Sequence, residues 1–204
     1  MNGRVNVEAE EMSRVSIAPK KFEDHAYVLD YLSHGKAGMS KGEFRAEPII
    51  QLMGETYFTL LEATPKSGTA VTQGERIYIG RDKPRDKIGH IMGRISYNDL
   101  TTAAKVELPF IIEEAIRMNE PRFVEFFNTS QAITPRMHSL ELIPGIGKKY
   151  AWAILDMREK KPFESLQDVK DRTQLPDPVK LLSRRIIEEL SEEQPKYRLF
   201  TRES

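Results

Sequence analysis

Cysteine is absent from the 204 residues of this chain. Disulfide bonds, thiol catalysis and zinc–thiolate sites are therefore excluded. Histidine is scarce as well, and its positions show no metal-ligand spacing. We therefore expect no metal and no other cofactor. The four histidines are His25, His34, His90 and His138.

Long apolar runs and net charge are also missing. Because a membrane-spanning helix needs about 20 consecutive apolar residues, we expect no membrane span, no secretory signal, no membrane partner and a cytoplasmic location. Lys and Arg total 31, as do Asp and Glu, so the formal net charge is +0. The charge balance gives no argument for a nucleic-acid partner, and any basic surface must be local.

The most informative stretch covers residues 140–154 and is LELIPGIGKKYAWAI. Its apolar residues recur at helical spacing on both sides of residues 144–147, which predicts two helices joined by a tight turn. Pro135 is expected to start the first helix. Gly145 and Gly147 permit a positive φ and let a ligand reach the backbone.

The second helix of this predicted hairpin begins after Gly147, where the first amides have no intrahelical partner. Those amides and the helix dipole favour an anion such as phosphate. We therefore predict that the amides of Gly145, Ile146 and Gly147 bind phosphate, with the Ile146 side chain turned inward. A purely structural or protein-binding hairpin is the alternative. The basic residues expected to extend the site are Lys148, Lys149, Arg136 and Lys161.

Residues 142–148, with Ala151, Ile154 and Arg158, resemble the helix-hairpin-helix motif. The likeness continues through residues 162–169 and Arg172, which resemble the next helix in DNA ligases, excision nucleases and competence proteins. The resemblance implies a nucleic-acid backbone contact that does not distinguish bases. In related hairpins a monovalent cation sits on turn carbonyls. Here the resemblance would place it on the carbonyls of Glu141, Ile143 and Ile146.

Residues 175–190 resemble a second, degenerate hairpin. Asp177 and Pro178 replace the glycines of the first turn. Because Pro178 has no N–H and Asp177 repels phosphate, we expect this turn to complete the fold without binding a backbone. The resemblance implies an all-α tandem helix-hairpin-helix domain over residues 135–190, followed by a polar tail over 191–204.

The N-terminal half is predicted to be a small β-barrel. Short runs of β-branched and aromatic residues between glycine turns predict strands over residues 25–32, 48–53, 57–63, 74–80 and 88–95. We expect an oligonucleotide-binding (OB)-like barrel over residues 22–96 after a flexible arm, 1–21. Helices over 98–107, 109–118 and 121–127 are expected to form a bridge, residues 97–134. The predicted fold class is α+β.

The predicted barrel carries a candidate second surface. Loops between the strands of such folds hold single-stranded nucleic acid. Two tyrosines are candidates for stacking on bases, although half-buried packing is the commoner role of a strand tyrosine. A solvated basic connector is the alternative for the rest. The surface comprises Arg76, Tyr78, Arg81, Lys83, Arg85, Lys87 and Tyr57.

Most of residues 25–190 is similar to an archaeal family of predicted nucleic-acid-binding proteins without an assigned role. The resemblance is carried by residues 26–32, 57–62, 74–80, 94–97 and 122–128 and by the hairpin. It implies an OB-like N-terminal part and tandem hairpins, usually described as RNA-binding.

These patterns favour a non-catalytic nucleic-acid-binding protein, with RNA slightly preferred to DNA. The neutral charge keeps open a protein-interaction module in a ribonucleoprotein or repair complex. An enzyme is the third hypothesis, because some base-excision glycosylases carry a similar turn followed by a catalytic Asp. Asp168 lies at a comparable distance here, but within a predicted helix. No nucleophile–base pairing or phosphate-loop motif accompanies it.

Overall fold

The computed structural model describes residues 22–35 and 47–202. The predicted flexible arm, residues 1–21, lies outside the described residues. Within them the chain forms a curled antiparallel sheet followed by a helical half. The protein is therefore of the mixed α+β class.

The sheet has five strands in the order β4-β1-β2-β3-β5, and all neighbouring pairs are antiparallel. It curls into a half-barrel whose edges are β4 and β5. All five strands predicted from the sequence are present. They are β1 His25–Leu32, β2 Ile49–Gly54, β3 Leu60–Pro65, β4 Arg76–Tyr78 and β5 Ile88–Arg94.

Strands β1, β2 and β3 bury side chains on both faces of the sheet, since consecutive side chains of a strand point in opposite directions. Most residues of the edge strand β5 are exposed. In β1, Val28 packs inside the half-barrel with Leu52 and Ile77. Its neighbours Tyr27 and Leu29 face the other way and join the large cluster formed with the helices. The sheet therefore has one core of its own and shares a second with the helical half.

The third strand begins later than predicted. The sequence indicated a strand from Tyr57, but residues 55–59 form a turn around the carboxylate of Glu23. That carboxylate accepts hydrogen bonds from the amides of Thr56, Tyr57 and Thr59 at 2.8, 2.9 and 3.2 Å. These amides are occupied by a side chain, so the ladder with β2 starts only beyond them.

The helical half contains five α-helices among the described residues. A short hairpin, β6 Ala132–Thr134 and β7 Met137–His138, lies between the second and the third. The helices are α1 Thr102–Met118, α2 Glu120–Thr129, α3 Lys148–Lys160, α4 Leu166–Thr173 and α5 Pro178–Ser191.

The two helices expected over residues 98–107 and 109–118 are one continuous helix, α1. The prediction was wrong because Pro109 was taken as a helix start, whereas it lies inside α1. Thr101 provides the start instead, since its hydroxyl accepts a hydrogen bond from the amide of Ala104 at 3.0 Å. Leu108 and Ile112 of α1 are fully buried against the sheet and the other helices.

The first helix of the predicted hairpin is replaced by other structure. Pro135 lies in the turn between β6 and β7, and a 3₁₀ turn, Ser139–Leu142, is the only helical element between it and the turn at residues 143–147. The apolar spacing of Leu140 and Ile143 is three residues, which a 3₁₀ turn satisfies as well as an α-helix does. Residues 135–190 are therefore not all-α, and the tandem helix-hairpin-helix arrangement stays a prediction, as do the domain boundaries.

The predicted polar tail packs on α5 up to the last described residues. The carboxylate of Glu189, which is buried in α5, accepts hydrogen bonds from the amides of Leu199, Phe200 and Thr201 at 2.7, 3.1 and 2.9 Å. The Phe200 ring joins the large core cluster. This segment is thus part of the fold. Across the described ranges, no helix has both the length and the apolar character needed to cross a membrane.

We expect Pro109→Ala to stabilise the protein. A proline inside a helix removes one backbone hydrogen bond and costs about 3 kcal/mol relative to alanine. The greater freedom of the unfolded chain offsets a part of this gain. Urea unfolding should therefore show a free energy of unfolding that is higher by roughly 2 kcal/mol. An unchanged or lower value would mean that the helix geometry around residue 109 depends on the proline ring.

Candidate nucleic-acid interface

The turn at residues 143–147 packs against α5. Gly145 adopts a φ of +94°, and a Cβ at this position would lie 3.0 Å from the Leu181 side chain. The Ile146 side chain is buried in the core, as predicted. A glycine is therefore needed at 145 both for backbone conformation and for space.

Gly147 differs from the prediction, because its φ of −83° lies in the extended region open to any residue. A Cβ there would meet nothing within 4 Å. Gly147 is the N-cap of α3, and no side chain among the described residues caps that helix. Neither strain nor packing requires a glycine here, and its effect is to leave the start of α3 open to the outside.

The corresponding turn before α5 is closed. Asp177 is the N-cap of α5, and its carboxylate accepts hydrogen bonds from the amides of Val179 and Lys180 at 3.1 and 3.4 Å. This carboxylate neutralises the helix end and occupies its amides. The geometry agrees with the expectation that this turn completes the fold.

The Ile146 amide does not face a ligand. It donates to the carbonyl of Ile143 at 2.9 Å inside the turn. This corrects the expectation that the Ile146 amide binds phosphate. The amides at the open end are those of Gly147 and of the first turn of α3, where Lys148 and Lys149 also supply positive charge.

The carbonyls expected to hold a monovalent cation are partly engaged. The Ile143 carbonyl accepts from Ile146, and the neighbouring Leu142 carbonyl accepts from Arg185 of α5 at 3.2 Å. The cation on Glu141, Ile143 and Ile146 stays a prediction. No group of three or more carboxylates or imidazoles suited to a metal occurs in the part of the chain that the structure describes.

The basic residues predicted around the turn fall into two places. Arg136, in the turn of the β6–β7 hairpin, lines the same cleft as Lys148. Lys161 lies at the opposite end of α3, about 20 Å away along the helix axis. It pairs with Glu164 at 2.8 Å. The structure thus brings Arg136 and Lys148 together and leaves Lys161 apart.

The cleft between the β6–β7 hairpin and α3 has a volume of about 480 Å³. Trp152 forms part of its wall and is 70% exposed. No function was expected for Trp152 from the sequence. The signal was present, because Ala151 and Ile154 mark the buried face of α3 and residue 152 lies about 100° from residue 151 around the helix.

His138 also lines this cleft, and its imidazole has a structural task. Its Nδ1 accepts a hydrogen bond from the Leu140 amide at 3.1 Å. Burial and the nearby Arg158 guanidinium lower the pKa of His138 from its ordinary value of 6.5. The imidazole is therefore neutral at pH 7, and the positive charge of the cleft comes from Arg136 and Lys148.

The candidate second surface is divided by the fold. Arg76 forms a bidentate pair with Glu55 at 2.7 and 2.8 Å, and Lys87 pairs with Glu75. Lys83 lies over the Tyr78 ring at 4.4 Å. These side chains already have partners within the protein, and a ligand would have to compete with those partners.

Two members of that surface do line one groove. Arg81 and Arg85 meet His90 and Arg94 in a groove of about 400 Å³ beside β5. The Arg81 guanidinium lies 4.0 Å from the centroid of the Phe22 ring. Tyr57 is in a different cleft, so its grouping with Arg81 does not match the fold.

Asp168, considered above as a catalytic candidate, stabilises its own helix. Its carboxylate accepts hydrogen bonds from the Glu164 amide and the Arg172 guanidinium, both at 3.1 Å. Desolvation raises the pKa of the Asp168 carboxyl, but the hydrogen bonds outweigh it and the net pKa is lowered. These contacts give the Asp168 carboxylate a structural role that requires no substrate.

The fold and the cleft define a class: α+β proteins in which a curled antiparallel half-barrel shares a core with five described helices. The chain belongs to the family DUF655, described as a protein of unknown function, whose model matches residues 22–202.

Two relatives are archaeal. The uncharacterized protein MJ0038 of Methanocaldococcus jannaschii is 45% identical over 185 residues, which span 90% of this chain and 82% of that protein. The crystal structure of Af1531 from Archaeoglobus fulgidus is similar with a TM-score of 0.82 and 46% identity. It covers 88% of this chain and 100% of that one. The similarity to an archaeal family expected from the sequence is thereby confirmed.

The two glycines of the turn should respond differently to alanine. At residue 145 alanine must adopt a left-handed backbone and meets Leu181, so we expect a loss of about 1–3 kcal/mol in the free energy of unfolding. At residue 147 it meets open space and replaces only a glycine N-cap, so the loss should be about 1 kcal/mol or less. Chemical denaturation of the two variants checks this order, and equal losses would contradict it.

Stability should fall in mild acid through His138. Since the folded pKa is lowered, the unfolded chain binds a proton below pH 6.5 that the folded protein rejects, and the folded state loses stability as the pH falls. His138→Asn keeps a side-chain acceptor for Leu140 and cannot titrate. Unfolding at pH 5.5 and 7.5 should therefore show a smaller decrease in the variant. Equal decreases would place the pH dependence elsewhere.

Proposed function

We propose that this protein is a non-catalytic nucleic-acid-binding protein that contacts the phosphate backbone independently of sequence. One observation carries the proposal: the start of α3 is open and uncapped beside Lys148 and Lys149, whereas the start of α5 is closed by Asp177. The contrast matters because the same chain caps one helix with an aspartate and leaves the first amides of another helix without a side-chain acceptor among the described residues.

The open start suits phosphate in both charge and geometry. The first amides of α3 point along the helix axis toward the outside, where the dipole favours an anion. Lys148 and Lys149 add charge in the same turn, and Arg136 adds it from the β6–β7 hairpin. Contacts of this kind give affinity and orientation without reading bases.

RNA is slightly preferred in this proposal. The support is the half-barrel sheet, which resembles folds that bind single strands, together with the family resemblance of the sequence. The groove lined by Arg81 and Arg85 is the second contact that such a sheet would offer. The helix-hairpin-helix description of residues 135–190 belongs to the same proposal, with β6, β7 and the 3₁₀ turn in place of its first helix.

A protein-interaction role is the second candidate, and one observation favours it. α1 exposes large apolar side chains at Val106, Phe110 and Met118, which are 64%, 66% and 66% exposed. These residues lie in one i, i+4 row of the helix that is interrupted by Glu114, and an exposed apolar row of this kind fits a docking face.

The test is fluorescence anisotropy with single- and double-stranded RNA and DNA of one length, over a salt series. Gly147→Asp is the most informative variant, because it places at α3 the same cap that Asp177 forms at α5. We expect its stability to be kept or slightly raised. Its affinity should fall at least tenfold, since a carboxylate replaces the phosphate. Lys148→Glu should also reduce the salt slope by roughly 1.

Lys170→Glu on α4 is the matched control, since it makes the same charge reversal at an exposed position of another helix. It should lower affinity far less than Lys148→Glu. If both reversals act equally, binding is a general charge effect and the turn is not the site. If the unaltered protein binds none of the four ligands at low salt, the nucleic-acid proposal fails.

A further inference from the structure

We propose that the cleft between the β6–β7 hairpin and α3 holds an unpaired nucleobase stacked on Trp152, so that the preferred ligand is single-stranded nucleic acid. The proposal rests on the function above and deepens it, because phosphate contacts alone do not distinguish single strands from duplexes. It is carried by the cleft, its aromatic wall and its charges.

The aromatic wall is a large apolar surface left in water. Trp152 is the single tryptophan of the chain and is 70% exposed. The core side of α3 is made by Ala151 and Ile154, so Trp152 contributes little to the packing of that helix. An exposed indole face is a platform on which any base can stack, and such stacking supplies much of the affinity of single-strand binders.

The charges of the cleft select a nucleotide over an apolar partner. Arg136 and Lys148 both line it, and neither forms an ion pair with another residue of the described ranges. Glu141, the acidic residue of the lining, accepts a hydrogen bond from the His138 amide at 2.9 Å and keeps its negative charge, so the two cations face one carboxylate in the cleft. A base on Trp152 would have cations on either side for its phosphates.

The spacing and the size also fit. Lys148 and Trp152 are four residues apart in α3, so their side chains lie on one face about 6 Å apart along the axis. That is the scale of one nucleotide from phosphate to base. The volume of about 480 Å³ lies within the usual range for small-molecule pockets. One strand can therefore contact the α3 start and the cleft together.

Trp152 is its own reporter, because no other tryptophan contributes to the fluorescence. The experiment titrates the full chain with a uridine 12-mer, with an abasic 12-mer of the same backbone and with a duplex of the same length. Stacking should quench the tryptophan emission only with the uridine strand. The abasic strand and the duplex should bind roughly 5- to 100-fold more weakly, which is the loss expected for one stacked base.

Two substitutions separate stacking from other effects. Trp152→Ala should weaken binding of the uridine strand by roughly 5- to 100-fold and leave the abasic strand unaffected. Trp152→Phe keeps an aromatic face and should retain most of the affinity. Phe110→Ala is the matched control, an exposed aromatic residue removed from α1. It should change neither titration.

The outcomes distinguish this inference from the function beneath it. If uridine and abasic strands bind equally and the emission does not change, the base-stacking cleft is refuted while the phosphate contact stands. The same conclusion follows if Trp152→Ala binds the uridine strand as the unaltered protein does, which would leave the cleft to another ligand, such as a protein. If neither strand binds, both proposals fail.

Discussion

Burial of α1 on two sides is the constraint on which the rest of the structure depends. α1 packs on β1 of the sheet and on α5 of the helical half. Leu108, Ile112 and Ile116 are fully buried in this position, and each contributes about 1.5–3 kcal/mol relative to exposure. The start of the helix is fixed by Gln51 of β2, whose side chain donates to the Asp99 carbonyl and accepts from the Thr101 amide. The orientation of the helices relative to the sheet follows from these contacts.

The candidate site inherits its geometry from this core. α5, set in place by α1, lies under the 143–147 turn and supplies Leu181 beneath Gly145. Arg185 of α5 is paired with the buried Glu189 at 2.9 Å and donates to the Leu142 carbonyl, so it links the turn to the tail. Because these contacts already order the turn, a ligand that binds there causes little further loss of conformational entropy. This favours association.

The sequence predicted the parts of this fold that depend on local patterns. The strands were found because alternation and turn residues are encoded within each segment. Predicted strand boundaries were wrong where a side chain distant in sequence binds the backbone, as the Glu23 carboxylate binds the Tyr57 amide. The prediction of the first hairpin helix was wrong for another reason: apolar residues three apart fit a 3₁₀ turn as well as an α-helix. At the site the Gly145 conformation was predicted correctly. Trp152 was missed because the apolar spacing was used only to find the buried face of α3, and the residues beside that face were not considered.

Zero net charge is compatible with a nucleic-acid-binding surface, because the charges of this chain are sorted by position. Arg76, Lys87 and Arg185 lie against carboxylates and serve the fold. The cations of the Trp152 cleft have no such partner among the described residues. The two helix starts repeat this division, one closed by an aspartate and one left open between lysines. If stability were the only requirement, an aspartate N-cap could stabilise α3 as it stabilises α5. The uncapped start next to an exposed indole is the place where the sequence departs from what stability alone would select, and such departures are expected at functional sites.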